Sequence, residues 1–231
     1  MAKFRTKDGV GIIPKGTKVI EDGAFAYRSS LKSVIIPDSV IVIGSLAFEG
    51  CTSIESIVVA EGNPVYDSRE GCNAIIETKT NTLITGCGST IIPESVTKIR
   101  DKAFAGCSSL KRVRIPDSVT VIGPQTFEGC TSLELVVIPN SVTAIETRAF
   151  YGCTSLENVV IPKSVTKIGL DSFSGCISLE SVTLLSRAEL YNGLFANCPS
   201  LQTINVPSDY VDYYKEYLPE ELHDKIVELD R

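Results

Sequence analysis

Six of the eight cysteines recur at one fixed place in the sequence, so thiol or metal chemistry is the first possibility to weigh. No CxxC pair or Cys/His cluster accompanies them, which disfavours a metal site. Stacked neighbours about 4.8 Å apart would lie within disulfide range, but parallel side chains suit disulfide torsions poorly. We predict small buried thiols that act as hydrophobic groups. Disulfides between neighbouring coils are the alternative that the sequence does not exclude. The six are Cys51, Cys107, Cys130, Cys153, Cys176 and Cys198.

Three glutamates also recur 23 residues apart, at Glu134, Glu157 and Glu180. Carboxylates about 5 Å apart are the spacing of a retaining glycosidase pair, so a hydrolase is one alternative. Here the spacing follows from the repeat alone, and nothing in the sequence supplies a pocket or an aromatic platform for sugars. His223 is the only histidine, and no nucleophile is placed beside it by pattern. We therefore predict no enzyme, no catalytic residue, no cofactor and no bound metal.

The composition restricts the class of partner. The 231 residues include 22 basic and 28 acidic side chains, a formal charge of -6, which disfavours nucleic acid. No apolar run of about 18 residues exists, so we predict no membrane span. The start, Met1 to Phe4, lacks the apolar stretch of a signal peptide. The N-terminal sequence therefore does not decide the cellular compartment, and we make no prediction of the oligomeric state.

The elements that position these residues are set by a repeat of 23 residues. The phrase Ile-Pro-x-Ser-Val-Thr-x-Ile returns with that period, and phenylalanines follow it. Such self-similarity predicts a solenoid, in which each repeat is one coil stacked on the last. The expected fold is one elongated, β-rich α/β domain, residues 1–231, with about seven coils. The Ile-Pro pairs begin at Ile13, Ile36, Ile92, Ile115, Ile138 and Ile161.

The coil from Leu133 to Ser155 shows the predicted pattern. Leu133, Val136 and Ile138 should point inward along a strand that ends at a proline, with 134, 135 and 137 outward. Residues 142 and 145 form the inward pair of a second extended segment. We expect residues 148–153 to turn the corner as a short helical turn, with Gly152 at positive φ.

Segment 60–91 interrupts the period. Two apolar runs, 73–77 and 82–87, flank a polar turn and predict a β-hairpin inside an enlarged coil. Cys72 and Cys87 lie near each other across it, either paired or simply buried. The insert separates the N-terminal coils 1–59 from the regular coils 92–207.

The two ends depart from the repeat. The first coil is irregular, as expected of a terminal repeat that presents a polar end. Residues 208–231 predict a helical cap, with Ser208 or Asp209 as N-cap and Val211, Tyr214 and Leu218 at helical spacing. Pro219 should end this helix and open a second. We expect the cap to cover the apolar end of the last coil.

Stacking in register places outward strand residues in files on one sheet face. Leu135, Val137 and Val160 should form an apolar cluster beside basic residues, with the glutamate file alongside. Such a surface suits a docking partner, although outward valines are also simply good strand formers. We name the predicted docking residues the central patch, namely Lys111, Arg112, Arg114, Glu134, Leu135, Val137, Glu157, Asn158, Val160 and Glu180.

The unit Leu-x-x-Val-x-Ile-Pro-x-Ser-Val-Thr-x-Ile-x-x-x-x-Phe-x-Gly-Cys resembles the BspA-type leucine-rich repeat over about residues 12–207. The resemblance implies a right-handed leucine-rich-repeat superhelix without shared catalytic residues. It also implies a surface or secreted protein that adheres to a protein, such as a host extracellular protein, or to a glycan. A cytoplasmic location is the alternative. The rival function is a structural spacer of a longer array with no ligand of its own.

Overall fold

The computed structural model describes residues 4–229. Residues 1–3, which belong to the start assessed for a signal peptide, and residues 230–231 of the expected cap lie outside it. The described chain contains one α-helix, α1 Val211–Tyr217, and 3-10 turns at Arg69–Gly71, Ser208–Tyr210 and Glu220–Lys225.

Short strands make up the rest of the regular structure, as the period-2 pattern predicts. In chain order they are β1 Arg5–Lys7, β2 Val10–Ile12, β3 Val19–Ile20, β4 Ser33–Ile36, β5 Val42–Ile43, β6 Ser56–Val59, β7 Tyr66–Asp67, β8 Ile75–Glu77, β9 Thr82–Thr85, β10 Lys98–Ile99, β11 Arg112–Arg114, β12 Val121–Ile122, β13 Leu135–Val137, β14 Ala144–Ile145, β15 Asn158–Ile161, β16 Lys167–Ile168, β17 Ser181–Leu184, β18 Glu189–Leu190, β19 Thr203–Pro207 and β20 Ile226–Leu229.

The strands stack as a β-solenoid, which confirms the predicted fold. Strands β2, β4 and β6 pair in parallel, as do β11 with β13 and the series β15, β17, β19 and β20. We call the surface formed by these strands the front face. The two-residue strands after each proline pair in the same way on an adjoining side, for example β12, β14, β16 and β18. The insert and the terminal strands extend the stack from the expected seven coils to about ten turns.

Burial within one coil follows the predicted alternation. Leu133 and Val136 are buried, while Leu135 and Val137 are exposed. Val142 and Ile145 are fully buried, as expected of the inward pair. Ile138 is only half-buried, and strand β13 ends before the proline that cannot donate to the ladder.

The corner of each coil is not the helical turn that we expected. It is a series of tight turns in which successive amides alternate between two kinds of acceptor. Ala149 and Tyr151 donate to carbonyls three residues back, at 3.1 Å each, whereas Phe150 donates to the next coil's Ser172 at 2.9 Å. Contacts between coils therefore replace the bonds of a helix. Positive φ at Gly152 is confirmed, and Asn197 shares it at 56°.

Phenylalanines from successive corners form stacks, as the period predicts. Phe104, Phe127, Phe150 and Phe173 follow one another with ring centroids 5.2 Å apart, and Phe195 continues the stack at 6.1 Å. A second stack contains Phe4, Phe25 and Phe48, at 5.3 Å. The hydrophobic core thus runs along the axis of the molecule.

The insert forms the predicted hairpin and also divides the core. Strands β8 and β9 pair antiparallel with a bulge between Ile75 and Ile76, and β9 continues in parallel to β10. Strand β7, which we did not predict, adds a third antiparallel strand. Two separate buried clusters result, one from Ile13 to Cys87 and one from Cys72 to Leu218.

Additional elements pack on both ends of the stack. At the first coil, β1 pairs antiparallel with β2. At the last coil, Tyr214 and Leu218 of the cap are buried, and the Tyr214 hydroxyl donates to the Ser186 carbonyl at 2.6 Å. The predicted N-caps are wrong, because α1 begins after Tyr210 and makes no side-chain cap bond. The expected second helix is a 3-10 turn followed by the unpredicted strand β20, which lengthens the front face.

Candidate functional site

The front face carries the predicted files of outward side chains. Register pairs Arg112 with Leu135 and Arg114 with Val137. It also pairs Asn158 with Ser181 and Val160 with Thr183. Side chains one coil apart therefore stand side by side, and the files follow directly from the 23-residue period.

The apolar centre of the central patch is exposed as predicted. Leu135 and Val137 are each 44% exposed and Val160 is 54% exposed. A shallow cavity of about 300 Å³ lies here, lined on one side by Arg112, Leu135 and Val137. Branched side chains thus form a concave apolar surface that solvent reaches freely.

Ile91 borders the central patch and was missed from the sequence. Its side chain is 77% exposed and lines the same cavity as Leu135 and Val137. Ile91 lies 23 residues before Arg114 and so belongs to the same file of outward side chains as Arg114, Val137 and Val160. Continuing the period through the insert would have found this residue.

Charges of both signs surround this apolar surface. Arg114 makes an ion pair with Glu94 and a longer one with Asp117, at 3.8 Å. Lys111 and Arg112 are exposed beside it. Because exposed ion pairs contribute little stability, these charges are available to orient a partner. Glu94 was not predicted, since it follows the strand segment that the insert displaces.

The glutamate file is also solvent-exposed. Glu134, Glu157 and Glu180 project from adjacent coils at one edge of the face, and the Glu180 amide donates to the Glu157 carbonyl at 2.8 Å. Within residues 4–229 no group of three metal-ligating side chains comes together. The arrangement is a row of solvated like charges, suited to a basic segment of a partner.

A second apolar cluster lies near the N-terminal end of the front face. Val10, Ile12, Ile35 and Val58 are each at least 40% exposed, and a cavity of about 430 Å³ is lined by the first three. Ile35 and Val58 stand side by side in one file of outward side chains, but Val10 and Ile12 belong to a first coil that departs from the motif.

The cysteine column is structural in geometry. The thiols of Cys51, Cys130 and Cys153 donate to the phenylalanine carbonyl 26 residues earlier, at 3.0, 3.1 and 3.3 Å. Burial raises the pKa of the Cys51 thiol to about 11 and that of Cys107 to about 12. All eight cysteines, which lie within residues 4–229, are free thiols. Because the thiolate is the reactive form, these groups are poorly suited to chemistry.

The two cysteines of the insert lie in different parts of the hydrophobic core. Cys72 and Cys87 are buried and belong to different core clusters. The Cys87 thiol donates to the Asn73 carbonyl at 3.2 Å. Of the two alternatives, a disulfide and simple burial, the structure shows simple burial.

His223 is half-buried, with Nε2 3.0 Å from the Leu218 carbonyl oxygen. The ring therefore helps to hold the turn after α1. Among residues 4–229, no helix has the length and apolar content needed to cross a bilayer.

Comparison with known proteins agrees with this geometry. The family described as BspA type leucine rich repeat region matches residues 11–81, 85–202 and 145–218, in six copies. The chain has no match among curated proteins.

Solved structures share the fold. The pneumococcal vaccine antigen PcpA is 23% identical with a TM-score of 0.74, over 93% of this chain and 60% of that one. A leucine-rich repeat protein from Eubacterium ventriosum is 22% identical with a TM-score of 0.58, over 85% of this chain and 47% of that one.

A leucine rich cell surface protein from Faecalibacterium prausnitzii is 26% identical with a TM-score of 0.51, over 90% of this chain and 62% of that one. This chain thus spans less than two thirds of each of these three. The motif, the stacked coils and the extent of the family match lead to one conclusion: the chain belongs to the BspA-type leucine-rich repeat proteins.

Proposed function

We propose that the chain is a non-enzymatic binding module that holds a protein partner on the central patch of the front face. The observation that carries the proposal is the group of exposed aliphatic side chains at Ile91, Leu135, Val137 and Val160. Exposed apolar patches rimmed by charge are typical of interaction sites. The family is generally non-catalytic and repeat folds are suited to protein interaction, which supports this function.

The chemistry of the patch favours a protein over a glycan. Its apolar members are aliphatic, whereas sugar recognition favours flat aromatic platforms. A fitting partner inserts an apolar side chain into the cavity near Leu135 and places acidic groups against Lys111 and Arg112. A basic segment of the same partner then meets the glutamate file. Charge complementarity of this kind sets orientation and association rate.

We further propose that this binding takes place at a cell surface, in the manner of an adhesin. The support is family membership together with the cell surface protein from Faecalibacterium prausnitzii that shares the fold at 26% identity. The relevant partner would then be an extracellular protein of a host.

A structural spacer is the second candidate. It is favoured by the fact that the chain spans 60% and 47% of the first two solved relatives, which are longer proteins of the same fold. In that case the front face would have no ligand.

A capture experiment distinguishes the two. Immobilised protein is incubated with host extracellular matrix proteins and cell extract, in parallel with the triple variant Arg114→Gln, Leu135→Ser and Val137→Ser. These side chains are exposed, so the variant should keep the wild-type unfolding temperature. We expect a partner bound by wild type and weakened at least tenfold by the variant.

The matched control is Ile35→Ser with Val58→Ser, which alters the same file outside the central patch. This control should bind like wild type. Equal binding by the triple variant would refute the central patch as the site, and no saturable binding to any protein would favour the spacer. Turnover of a glycoside panel that vanished in Glu134→Gln would instead support a hydrolase.

A further inference from the structure

Backbone hydrogen bonds join the corners of successive coils in a fixed pattern. Within each uninterrupted stack, three alternate residues of a corner donate their N–H groups to three carbonyls of the next corner. The amides of Asp171, Phe173 and Gly175, for example, donate to Asn192, Leu194 and Ala196 at 3.1, 3.1 and 2.8 Å. Each regular corner is therefore both an acceptor for the coil before it and a donor to the coil after it.

The last corner breaks this pattern. The equivalent donors are Gly193, Phe195 and Asn197, whose N–H groups meet no backbone or side-chain acceptor within residues 4–229. Strand β20 extends the front face by one more turn, but no further corner accompanies it. Backbone N–H groups without an acceptor favour the binding of a partner that offers carbonyl oxygens.

A cleft of about 820 Å³ lies over these three residues. One wall is the corner from Leu190 to Pro199 and the other is the cap, between Tyr217 and Lys225. Much of the lining is apolar, with Ile177 50% exposed and Tyr217 54% exposed at the cleft. The cleft therefore combines a row of free donors with apolar side chains.

We propose that this cleft binds one segment of a partner polypeptide that folds like a corner of the solenoid, so that its alternate carbonyls accept the N–H groups of Gly193, Phe195 and Asn197. The support is the pairing between neighbouring corners, in which three alternate carbonyls of one turn accept three alternate N–H groups of the other. The cap lines the side of the cleft that faces the corner, so that a bound segment would contact both. This surface is separate from the central patch.

The chain itself supplies a suitable probe. Within the molecule, the carbonyls of Thr147, Ala149 and Tyr151 accept from the corner before them, at 2.9, 2.8 and 2.7 Å. A synthetic peptide with the sequence of residues 144–156, carrying Cys153→Ser, presents the same carbonyls. A scrambled peptide of equal composition is the control.

The readout is amide exchange and chemical shift by NMR on the full chain. In the free protein, the amides of Gly193, Phe195 and Asn197 should exchange at least tenfold faster than those of Phe173 and Gly175. Saturation with the probe peptide should shift these three resonances and slow their exchange at least tenfold. The scrambled peptide should do neither.

Two variants test the wall of the cleft. Ile177→Glu and Tyr217→Ser should each weaken peptide binding at least tenfold while the unfolding temperature is kept. Thr131→Glu is the matched control, because Thr131 occupies the position of Ile177 two coils earlier, is exposed and lies away from the cleft. It should bind the peptide like wild type.

Several outcomes would overturn the proposal. The first is slow exchange of the three amides in the free protein. The second is saturating peptide that leaves these resonances unmoved. The third is protection that grows with protein concentration in the absence of peptide, which would assign the surface to a second copy of the chain.

Discussion

Single residues at the corners adopt left-handed backbone conformations in two columns. One column of positive φ holds Gly152 and its equivalents, and the repeat of glycine reveals it in the sequence. A second column was missed, because φ near 56–62° occurs there at Leu46, Lys102, Gln125 and Arg148. Residues of these types carry no sequence signal for a left-handed backbone, which costs them about 1–2 kcal/mol each. Contacts between coils impose that conformation.

The glycine column gives a direct prediction. Gly152→Val should lower the free energy of unfolding by about 2 kcal/mol, because a β-branched residue is strained at φ 68°. Gly152→Asn should cost less than half as much, since Asn197 adopts φ 56° in the equivalent position. Urea unfolding measures both. Equal losses for valine and asparagine would mean that side-chain volume, and not backbone conformation, selects glycine here.

The buried thiols make stability depend on pH at the alkaline side. Burial raises the pKa of Cys51 and of Cys198 to about 11, from an ordinary value of 9.0. Burial also raises the pKa of Cys130 and Cys153 well above the ordinary value. Between pH 9 and 11 the unfolded chain has lost protons that the folded chain retains. Stability is therefore fully present below pH 9 and falls as the pH rises.

For each such thiol, the free energy of unfolding should fall by about 1.4 kcal/mol per pH unit above pH 9. Cys51→Ser removes one of these thiols. Between pH 9 and about pH 11, the free energy of unfolding of this variant should therefore fall less steeply than that of wild type, by about 1.4 kcal/mol per pH unit. Denaturant unfolding at pH 8, 9, 10 and 10.5 measures the difference in slope. Parallel pH profiles for the two proteins would show that Cys51 is not protected from ionisation.

At the scale of the element, period and alternation predict the repeat strands and the hairpin. Strand β20 was missed because Ile226–Leu229 is too short to be recognised alone and forms by pairing with β19. The corner was predicted as a helical turn because a glycine at its end is typical of a helix C-terminus, whereas its amides alternate between acceptors three residues back and acceptors in the next coil. In both cases the deciding contact is made with another coil, which local sequence does not contain.

The junction between the hairpin and the next corner depends on a glycine. The Gly86 amide donates to the Ala103 carbonyl at 2.9 Å, and a Cβ at Gly86 would lie 2.1 Å from the Phe104 ring. Gly86→Ala should therefore destabilise the protein by about 2 kcal/mol, as expected for overpacking. Thermal and denaturant unfolding measure this loss.

A double-mutant cycle tests the cause. In a Phe104→Leu background the ring is gone, so the additional cost of Gly86→Ala should be less than half as large. If the cost is the same in both backgrounds, the clash with Phe104 is not the reason for glycine.

At the scale of the whole molecule, the insert divides the solenoid into two cores. Phe25 belongs to the N-terminal cluster and Phe150 to the C-terminal cluster. Between the two stacks lies a cavity of about 330 Å³ that both Phe48 and Phe104 line. Stability in repeat proteins passes between neighbouring coils, so a poorly packed junction should weaken coupling along the axis.

Hydrogen exchange should reveal this division. Phe25→Leu should speed amide exchange in β2, β4 and β6 at least tenfold while β13, β15 and β17 keep their wild-type rates. Phe150→Leu should have the opposite distribution. Mass spectrometry of peptides from both regions gives the comparison, and acceleration that spreads evenly through the molecule for both variants would show one cooperative unit.

The exposure of the central-patch side chains on one face was predictable, because side chains one period apart stand side by side on stacked coils. The ten residues of the patch were read as files, and the structure leaves Leu135, Val137 and Val160 exposed on adjacent coils. Ile91 was overlooked although it lies 23 residues before Arg114, whereas Glu94 joins the patch through an ion pair with Arg114 that the sequence does not indicate. The patch therefore extends one coil further toward the N-terminus than the sequence indicated.

The most direct test is hydroxyl-radical footprinting of the protein alone and in complex with the partner captured on the wild-type chain. Side chains of Ile91, Leu135, Val137 and Val160 should be labelled readily in the free protein and protected at least fivefold in the complex. Tyr27 and Ile41, exposed outside the central patch, should be labelled equally in both. Protection that spared the four patch residues would contradict the proposed docking surface.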